Sequence, residues 1–493
     1  MPSRCWRAGF PKHARHDRTL PASCGSNCRH RHRRKKHAAG ASWRSGIPES
    51  RHQDPAMKQN QDPHDRLPVI LRGARTPFME TAGAYARLMS YELGAKAIAG
   101  LVEKTGIDAA RVDVVAMGTV VHEVETTNVA RESMLHAGLP STIPAFTLSM
   151  AGLSPNIAVG TVCDMIAMGR AELAIAGGTE TFSDPPVRAR QPLRRGLMRL
   201  NQDGSARNAL RVLGTLRPRD LLPEMPSATD FTTRQTMGAC TEAMVKKFGV
   251  NRQDSDRFAA RSHALAVQAW EQGRYAEDIV PVSVAGRDAP VTRDDSMRVD
   301  ASAETLARLK PVFDRKAGIV TAGNASRLTD GAGAMLLGSL GAARRLKLEP
   351  QAVVRDYVLA GVDDLFSEML LGPAMAIPKL LQRNGLDLGD VDVWELHEAF
   401  AAQILANQAC LASAGFAQER HGQSRAFGAI PEDKLNTWGG SLALGNPFAA
   451  TGVRLLTTAA RRLQQEKKRY AIVSSCAGGG LGAAILLENA DRL

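Results

Sequence analysis

The sequence has few aromatic residues, no long apolar run and few cysteines for its length. Phe, Trp and Tyr make up 5% of the 493 residues, and seven residues are cysteines. No uninterrupted apolar stretch approaches the roughly 20 residues of a transmembrane helix, so a membrane-spanning class is disfavoured. Cys163, Cys240, Cys410 and Cys476 form no disulfide framework by spacing, which favours a reducing compartment, and we expect a cytoplasmic protein. The composition predicts a large α/β enzyme-like protein.

Positive charge is concentrated at the start of the chain. Through Arg66 there are fifteen Lys and Arg against five Asp and Glu, so ten of the thirteen net positive charges lie there. Residues 1–65 show no hydrophobic periodicity, and their Arg-rich tract could be a nucleic-acid, targeting or transit sequence. Cys24, Cys28, His30 and His32 have a spacing that fits no zinc module well. A disordered leader, or a start codon set too early with Met57 as the real beginning, are the remaining interpretations.

The chain is organised around residues 143–184, which predict a helix followed by a strand. Ser154 can cap a helix whose first residue is Pro155. Residues 172–176 form a short, mostly apolar stretch, as expected of a buried parallel strand. Gly177–Gly178 is predicted to turn the chain at the end of this strand. In an open α/β sheet such a helix start and strand end lie beside the ligand, so we expect the functional site here.

An internal repeat relates the two halves of the chain. GIDAARVDV at Gly106–Val114 has a near copy, GLDLGDVDV, at Gly385–Val393. The strand and glycines at 171–178 have a counterpart at 469–480. A repeat at a separation of about 280–300 residues predicts two similar α/β halves packed together.

Five stretches carry a resemblance to a known family. Residues 147–158 read TLSMAGLSPNIA, 176–184 read AGGTETFSD, 397–400 read HEAF, 436–452 read NTWGGSLALGNPFAATG, and 476–482 read CAGGGLG. Together they resemble the thiolases, most closely the 3-ketoacyl-CoA thiolase subunit of fatty-acid β-oxidation complexes. The resemblance implies an α/β thiolase fold of two duplicated α/β halves with an inserted loop domain.

The same resemblance suggests where the domains divide. Residues 66–340 would form the N-terminal half, including a loop domain at about 185–290, and residues 341–493 would form the C-terminal half. Residues 1–65 remain as the basic leader. Because family-like sequence begins only near Pro68, a true start at Met57 is the favoured interpretation.

Two catalytic side chains of the family are replaced. Thiolases place a nucleophilic cysteine in the pattern T-x-x-x-A-C-x-S-x-N-x-A, and an activating histidine in G-H-P-x-G-A-T-G. Here Gly152 stands at the cysteine and Asn446 at the histidine. Glycine offers no covalent nucleophile, and asparagine donates a hydrogen bond but is no base at neutral pH. In a well-studied hydrolase, loss of the nucleophile costs about a million-fold in rate, or roughly 8 kcal/mol, so we expect negligible thiolysis.

The other functional positions match the family. By resemblance, Cys476 is the acid/base at the substrate α-carbon, and His397 helps to bind the thioester oxygen. The backbone N–H groups of Gly152 and Gly478 would form an oxyanion hole, and Ser326 would lie along the pantetheine arm. Taken alone, His397 reads as a core histidine and Cys476 as a small buried residue in a tight turn, but the motif matches favour the functional interpretation.

The predicted loop domain begins with a basic amphipathic segment. It mixes Leu and Met with the residues Arg188, Arg190, Arg194, Arg195, Arg199, Arg207 and Arg211. Such a segment can lie on a membrane surface or on a partner. In the resembling β-oxidation subunits this region serves membrane association and docking to the hydratase/dehydrogenase α-subunit. A solvated basic lid near the CoA phosphates is the alternative. The resemblance also implies a homodimer or tetramer.

Two functions follow as expectations. The first is a thiolase-family acyltransferase that acts on or binds 3-ketoacyl-CoA, with non-thiolytic chemistry carried by Cys476, His397 and Asn446. The alternative is a non-catalytic acyl-CoA-binding subunit of a β-oxidation-like complex. CoA esters would be ligands rather than permanently bound cofactors, and we expect neither a metal nor a nucleic-acid partner.

Overall fold

The centre of the molecule is a mixed β-sheet that runs through both halves of the sequence. A computed structural model describes residues 62–227 and 229–492. The strands in this part are β1 (Pro68–Arg75), β2 (Met79–Glu80), β3 (Val114–Gly118), β4 (Ala145–Leu148), β5 (Leu173–Glu180), β6 (Arg188–Ala189), β7 (Pro223–Glu224), β8 (Thr329–Ser339), β9 (Ala352–Gly361), β10 (Val393–Leu396), β11 (Tyr470–Ala477) and β12 (Leu481–Asn489). Ten of them form one sheet in the order β10–β11–β12–β9–β1–β8–β5–β3–β4, with β2 paired on β8. The short strands β6 and β7 form a separate ribbon.

Helices pack on both faces of this sheet. The helices of the described part are α1 (Ser90–Thr105), α2 (Val129–His136), α3 (Ser154–Ala167), α4 (Gln191–Gln202), α5 (Ala206–Thr215), α6 (Met237–Phe248), α7 (Arg252–Glu271), α8 (Ala303–Ala307), α9 (Leu340–Leu346), α10 (Gly372–Asn384), α11 (Ala401–Leu411), α12 (Ala414–His421), α13 (Ser441–Leu444) and α14 (Phe448–Gln465). Those that pack on strands of the sheet are α1, α2, α3, α9, α10 and α14. On β3, Val115 and Met117 share a core with α1 and α2, whereas Val114 and Ala116 share one with α3 and α14. Since α14 also packs on β10 and β11 of the second half, and α3 packs on α14, these two helices form a layer shared by the halves.

The strand pairing confirms the predicted duplication. In the first half β3 and β5 are parallel, and β5–β8 and β8–β1 are antiparallel. The second half repeats this pattern, because β10 and β11 are parallel and β11–β12 and β12–β9 are antiparallel. The halves are joined through β1 and β9, which pair over only two residues on each strand.

The repeated sequence motifs occupy equivalent places. Gly106 ends α1 and Gly385 ends α10, and both have a φ of 63°. This left-handed conformation is favourable for glycine and explains why both copies of the motif begin with it. Each glycine is followed by a short 3₁₀ helix, at Ala109–Arg111 and Leu388–Asp390, and then by β3 or β10.

The prediction that Gly177–Gly178 turns the chain is wrong. Both residues lie inside β5, which continues to Glu180. A Cβ on Gly177 would overlap the carbonyl oxygen of Gly333, and one on Gly178 would overlap that of Ala449. These glycines therefore allow two backbone segments to approach the strand closely, which is a tertiary requirement and not a turn signal.

The predicted cap of α3 is also wrong, although the helix itself is confirmed. Leu153 occupies the N-cap position and makes no side-chain cap bond, while Ser154 is the first helical residue. The Ser154 hydroxyl accepts from the Met150 N–H at 2.8 Å and donates to the Ala151 carbonyl at 2.7 Å. It thus stabilises the loop before the helix rather than the helix end.

Part of the predicted leader belongs to the folded structure. Pro63–Arg66 forms a 3₁₀ helix, and Asp65 pairs with Arg344 of α9 at 3.2 Å. The proposed tract, metal cluster and start site in residues 1–61 lie outside the described residues.

The stretch between β5 and β8 contains the predicted loop region at 185–290. In its first part α4 packs on α5, and the side chains of Leu197, Met198, Leu210 and Leu213 are each more than half exposed. Its later helices α6 and α7 pack against α11 in the second half of the chain. Within the two described ranges, no helix is both long and apolar enough to cross a membrane.

Candidate active site

Gly152 lies in the loop between β4 and α3, against the end of β11. A Cβ built on it would meet the Cβ of Ala477 and the carbonyl oxygen of Cys476, each at 3.7 Å. This is an ordinary van der Waals separation. The left-handed backbone conformation of this loop belongs to Ala151, whose φ is 47°. Position 152 therefore has room for a side chain, and the fold does not require glycine there.

Cys476 lies near the end of β11, opposite Gly482 of β12. Its side chain packs in an apolar cluster with Val320 and Phe400 and is 3% exposed. Burial raises the pKa of this thiol to about 12. The group is consequently protonated at neutral pH and is available as a proton donor.

His397 follows β10 and is held beside β11. Its backbone N–H donates to the Ser474 carbonyl at 2.9 Å. Its Nδ1 lies 2.9 Å from the Ser441 hydroxyl, which also accepts from Arg454 at 2.9 Å. Burial, and then the positive charge of Arg454, lower the pKa of His397 to about 3, so the imidazole is neutral at physiological pH.

Asn446 and Ser326 are neighbours on the same side of the sheet. The Oδ1 of Asn446 accepts from the Thr451 hydroxyl at 2.9 Å, and its Nδ2 lies 3.4 Å from the Ser326 hydroxyl. The Ser326 N–H donates to the Ala399 carbonyl at 2.9 Å, two residues beyond His397. Ser326 thus links the loop that carries His397 to the loop that carries Asn446.

The N-terminal ends of α3 and α14 also lie beside these residues. Gly452, near the start of α14, lies directly against Pro155 and Asn156 at the start of α3. Gly478 follows β11, and a Cβ built on it would be 3.5 Å from the sulfur of Met237. The structure therefore brings every site residue predicted from the sequence to one edge, where β10, β11, α3 and α14 meet.

This edge can handle protons and hydrogen bonds, but it has no nucleophile at position 152. The neutral His397 can donate or accept a hydrogen bond, and the Cys476 thiol can give up a proton. The Asn446 amide can donate a hydrogen bond but cannot remove a proton from an attacking group. Within residues 62–227 and 229–492, no group of three His, Cys, Asp or Glu side chains could hold a metal ion.

Comparisons with known proteins identify the family. The thiolase N-terminal domain matches residues 68–340 and the thiolase C-terminal domain matches residues 348–489. This chain belongs to the thiolase family. It is 41% identical over 436 residues to the mouse mitochondrial trifunctional enzyme subunit beta, covering 88% of this chain and 91% of that protein. It is 42% identical over 389 residues to a probable 3-ketoacyl-CoA thiolase of Caenorhabditis elegans, covering 79% of this chain and 86% of the other.

A solved structure gives the same result for this thiolase-family chain. The Bacillus anthracis acetyl-CoA acetyltransferase superposes with a TM-score of 0.73 and 30% sequence identity, covering 86% of this chain and 98% of that one. The predicted thiolase fold is therefore confirmed.

Sequence reasoning missed the role of Glu398 in this thiolase-family site. Its buried carboxylate accepts from the Ser262 hydroxyl and the Asn436 amide, each at 2.6 Å, and from the Leu442 N–H at 3.2 Å. These bonds tie the loop after His397 to α7 and to the glycine-rich loop before α14. Glu398 stands inside the recognised HEAF stretch, but partners 38 to 136 residues away leave no local signal.

Proposed function

We propose that this protein binds CoA thioesters and retains the part of a thiolase site that handles the substrate α-carbon, while it lacks the part that forms a covalent acyl intermediate. The observation that carries the proposal is the contrast at one edge of the sheet. Gly152 offers no nucleophile in a space open to a side chain, whereas the buried Cys476 lies against it on β11. The buried His397 is bound to the same strand through the Ser474 carbonyl.

Each retained residue has a defined task in this proposal. His397 donates a hydrogen bond to the thioester carbonyl oxygen, which stabilises the negative charge that develops there when the α-carbon loses a proton. Cys476 takes the α-proton as a thiolate, after its own proton has passed to solvent, and the thiol so formed returns a proton to the enolate. Burial, which raises the pKa of this thiol, makes its thiolate a strong base. The backbone N–H groups of Gly152 and Gly478 form a second oxyanion site, and Ser326 lies along the pantetheine arm.

Two assays separate the retained step from the missing one. Thiolysis of acetoacetyl-CoA and of a longer 3-ketoacyl-CoA is measured for wild type, Gly152→Cys and Gly152→Cys/Asn446→His. We expect wild type to be inactive and the double variant to turn over. Exchange of the α-protons of acetyl-CoA in D₂O is measured for wild type and Cys476→Ala, and we expect exchange only in wild type.

The outcomes decide between the alternatives. Thiolysis by wild type would show that glycine at position 152 is not disabling. Binding of a CoA ester without α-proton exchange would support the second function, a non-catalytic acyl-CoA-binding subunit. Failure to bind any CoA ester, in protein that is folded, would refute both.

The α4–α5 pair supports a proposal about partners. Arg194, Arg195, Arg199, Arg207 and Arg211 are exposed on the same two helices as the four exposed Leu and Met side chains. We infer that this surface contacts an anionic membrane or a hydratase/dehydrogenase subunit, in keeping with the mouse relative that is named as a subunit. Co-sedimentation with anionic and neutral vesicles, compared between wild type and Leu210→Ser/Leu213→Ser, tests the membrane contact.

Assembly and location also stay proposals. We infer a homodimer or tetramer, which sedimentation at several protein concentrations would check. Cys163, Cys240, Cys410 and Cys476 are unpaired and buried, which supports a reducing compartment such as the cytoplasm.

A further inference from the structure

A buried chain of hydrogen bonds leads from α14 to the ring of His397. The Nη2 of Arg454 donates to the Ser441 hydroxyl oxygen at 2.9 Å, and the Nδ1 of His397 lies 2.9 Å from the same oxygen. The exposed fractions of Arg454, Ser441 and His397 are 1%, 0% and 6%. Water therefore has little access to these three groups, and their protons must be shared among protein atoms.

The chemistry of the three groups fixes where the protons lie. A guanidinium has only donors, so the oxygen of Ser441 accepts from Arg454 and its own hydroxyl proton needs another acceptor. The atom at hydrogen-bond distance is the Nδ1 of His397. If Nδ1 carried a proton instead, the Ser441 hydroxyl proton would be buried without a partner, which is costly.

We propose that Ser441 and Arg454 are positioning residues that hold His397 as the tautomer with its proton on Nε2. The Ser441 hydroxyl donates to Nδ1, Arg454 orients that hydroxyl, and Nε2–H is left free to donate. Among the described residues, the Nε and Nη1 of Arg454 have no hydrogen-bond partner, so its bond to Ser441 is the one that orients the guanidinium.

The catalytic effect of this tautomer rests on the proposed function, in which Nε2–H is the donor that His397 offers to the thioester oxygen. The tautomer itself is independent of any turnover. The positive charge of Arg454 additionally disfavours the imidazolium, which keeps the ring neutral when an oxyanion develops.

The ¹⁵N spectrum of the imidazole tests the proposal directly. Full-length protein labelled with ¹⁵N-histidine is measured without ligand, and the His397 signals are assigned by their loss in His397→Gln. We expect a pyridine-type shift at Nδ1 and a pyrrole-type shift at Nε2 in wild type. A protonated Nδ1 in wild type would overturn the proposal, whatever the variants do.

Variants show whether the two residues cause the tautomer. In Ser441→Ala and in Arg454→Met we expect averaged shifts that report a mixture of tautomers. Ser474→Ala is the matched control, because it removes a buried hydroxyl that donates to the Ala483 carbonyl at 2.7 Å and leaves the His397 ring contacts in place. A wild-type spectrum in both Ser441→Ala and Arg454→Met would refute the role of Ser441 and Arg454 as positioning residues.

A kinetic measurement then connects the tautomer to function. In the Gly152→Cys/Asn446→His background, Ser441→Ala is expected to lower kcat by about tenfold or more with little change in KM, since it weakens a donor to the developing oxyanion. An unchanged kcat, together with the expected spectra, would leave the tautomer assignment standing and refute the proposed role of His397. An inactive background would count against the proposed function alone.

Discussion

Replacing Gly440 by alanine gives a severe and specific test of the site architecture. Gly440 has an extended backbone, with φ of −131° and ψ of −163°, so alanine is not strained by conformation. A Cβ there would instead overlap the carboxyl group of Glu398. That carboxylate would have to retreat by about 1 Å or more to reach van der Waals separation. Its two bonds of 2.6 Å, to Ser262 and Asn436, cannot survive such a shift.

The size of the effect follows from those bonds. Each buried hydrogen-bonding group left without its partner costs about 1–3 kcal/mol, so separating Glu398 from Ser262 and Asn436 destabilises the fold by about 3 kcal/mol or more. A destabilisation of this size lowers the folding equilibrium constant by roughly 150-fold. Unfolding in urea at fixed protein concentration, followed by tryptophan fluorescence, measures it.

Two further variants make the test decisive. Gly389→Ala is the control, because nothing lies within 4 Å of a Cβ at that position, and we expect a change below about 1 kcal/mol. In a Glu398→Ala background the carboxyl group is gone, so Gly440→Ala should cost about 1 kcal/mol or less. A double-mutant coupling energy below about 0.5 kcal/mol would refute the close contact as the cause.

Three shorter predictions concern other parts of the chain. Burial raises the pKa of Glu180 from 4.5 to about 8, so between these pH values the folded state keeps a proton that the unfolded state loses. The unfolding free energy should therefore fall as the pH rises from about 4.5 to 8, and it should fall less steeply with pH in Glu180→Gln. Asp294→Ala breaks the buried ion pair with Arg75, whose shortest contact is 2.7 Å, and should lower the unfolding free energy by about 3–5 kcal/mol. As a control, Glu224→Ala breaks the exposed ion pair with Arg188 and should lower it by less than about 1 kcal/mol in the same urea measurement. Gly152→Cys should change the urea-derived unfolding free energy by less than about 1 kcal/mol, and a larger loss would show that the fold needs glycine there.

The sequence was sufficient for features that are encoded locally. The glycines that end α1 and α10 have a conformation that only a few residue types adopt easily, so their repetition at Gly106 and Gly385 predicted the duplication correctly. The resemblance likewise pointed to residues that the fold brings to one edge.

Features that depend on distant chain segments were not predictable. The sequence predicts a turn at Gly178, which lies in β5, because the segment that requires glycine there, at Ala449, is far away in sequence. The sequence gives no signal for the role of Ser441, because its partners His397 and Arg454 come from other elements. Ser154 has the residue type and position of a helix cap, but its hydroxyl bonds to Met150 and Ala151 of the preceding loop.

The contact between Gly178 and Ala449 has a consequence for how this protein can change over time. The strand belongs to the first repeat and the helix start to the second, and no side chain separates them. A single added methyl group at Gly178 would push the first turn of α14 outward and carry Asn446 away from Ser326. The two repeats therefore cannot drift independently at this point. Substitutions at 152 and 446 leave that spacing untouched, because neither residue takes part in the contact between Gly178 and Ala449.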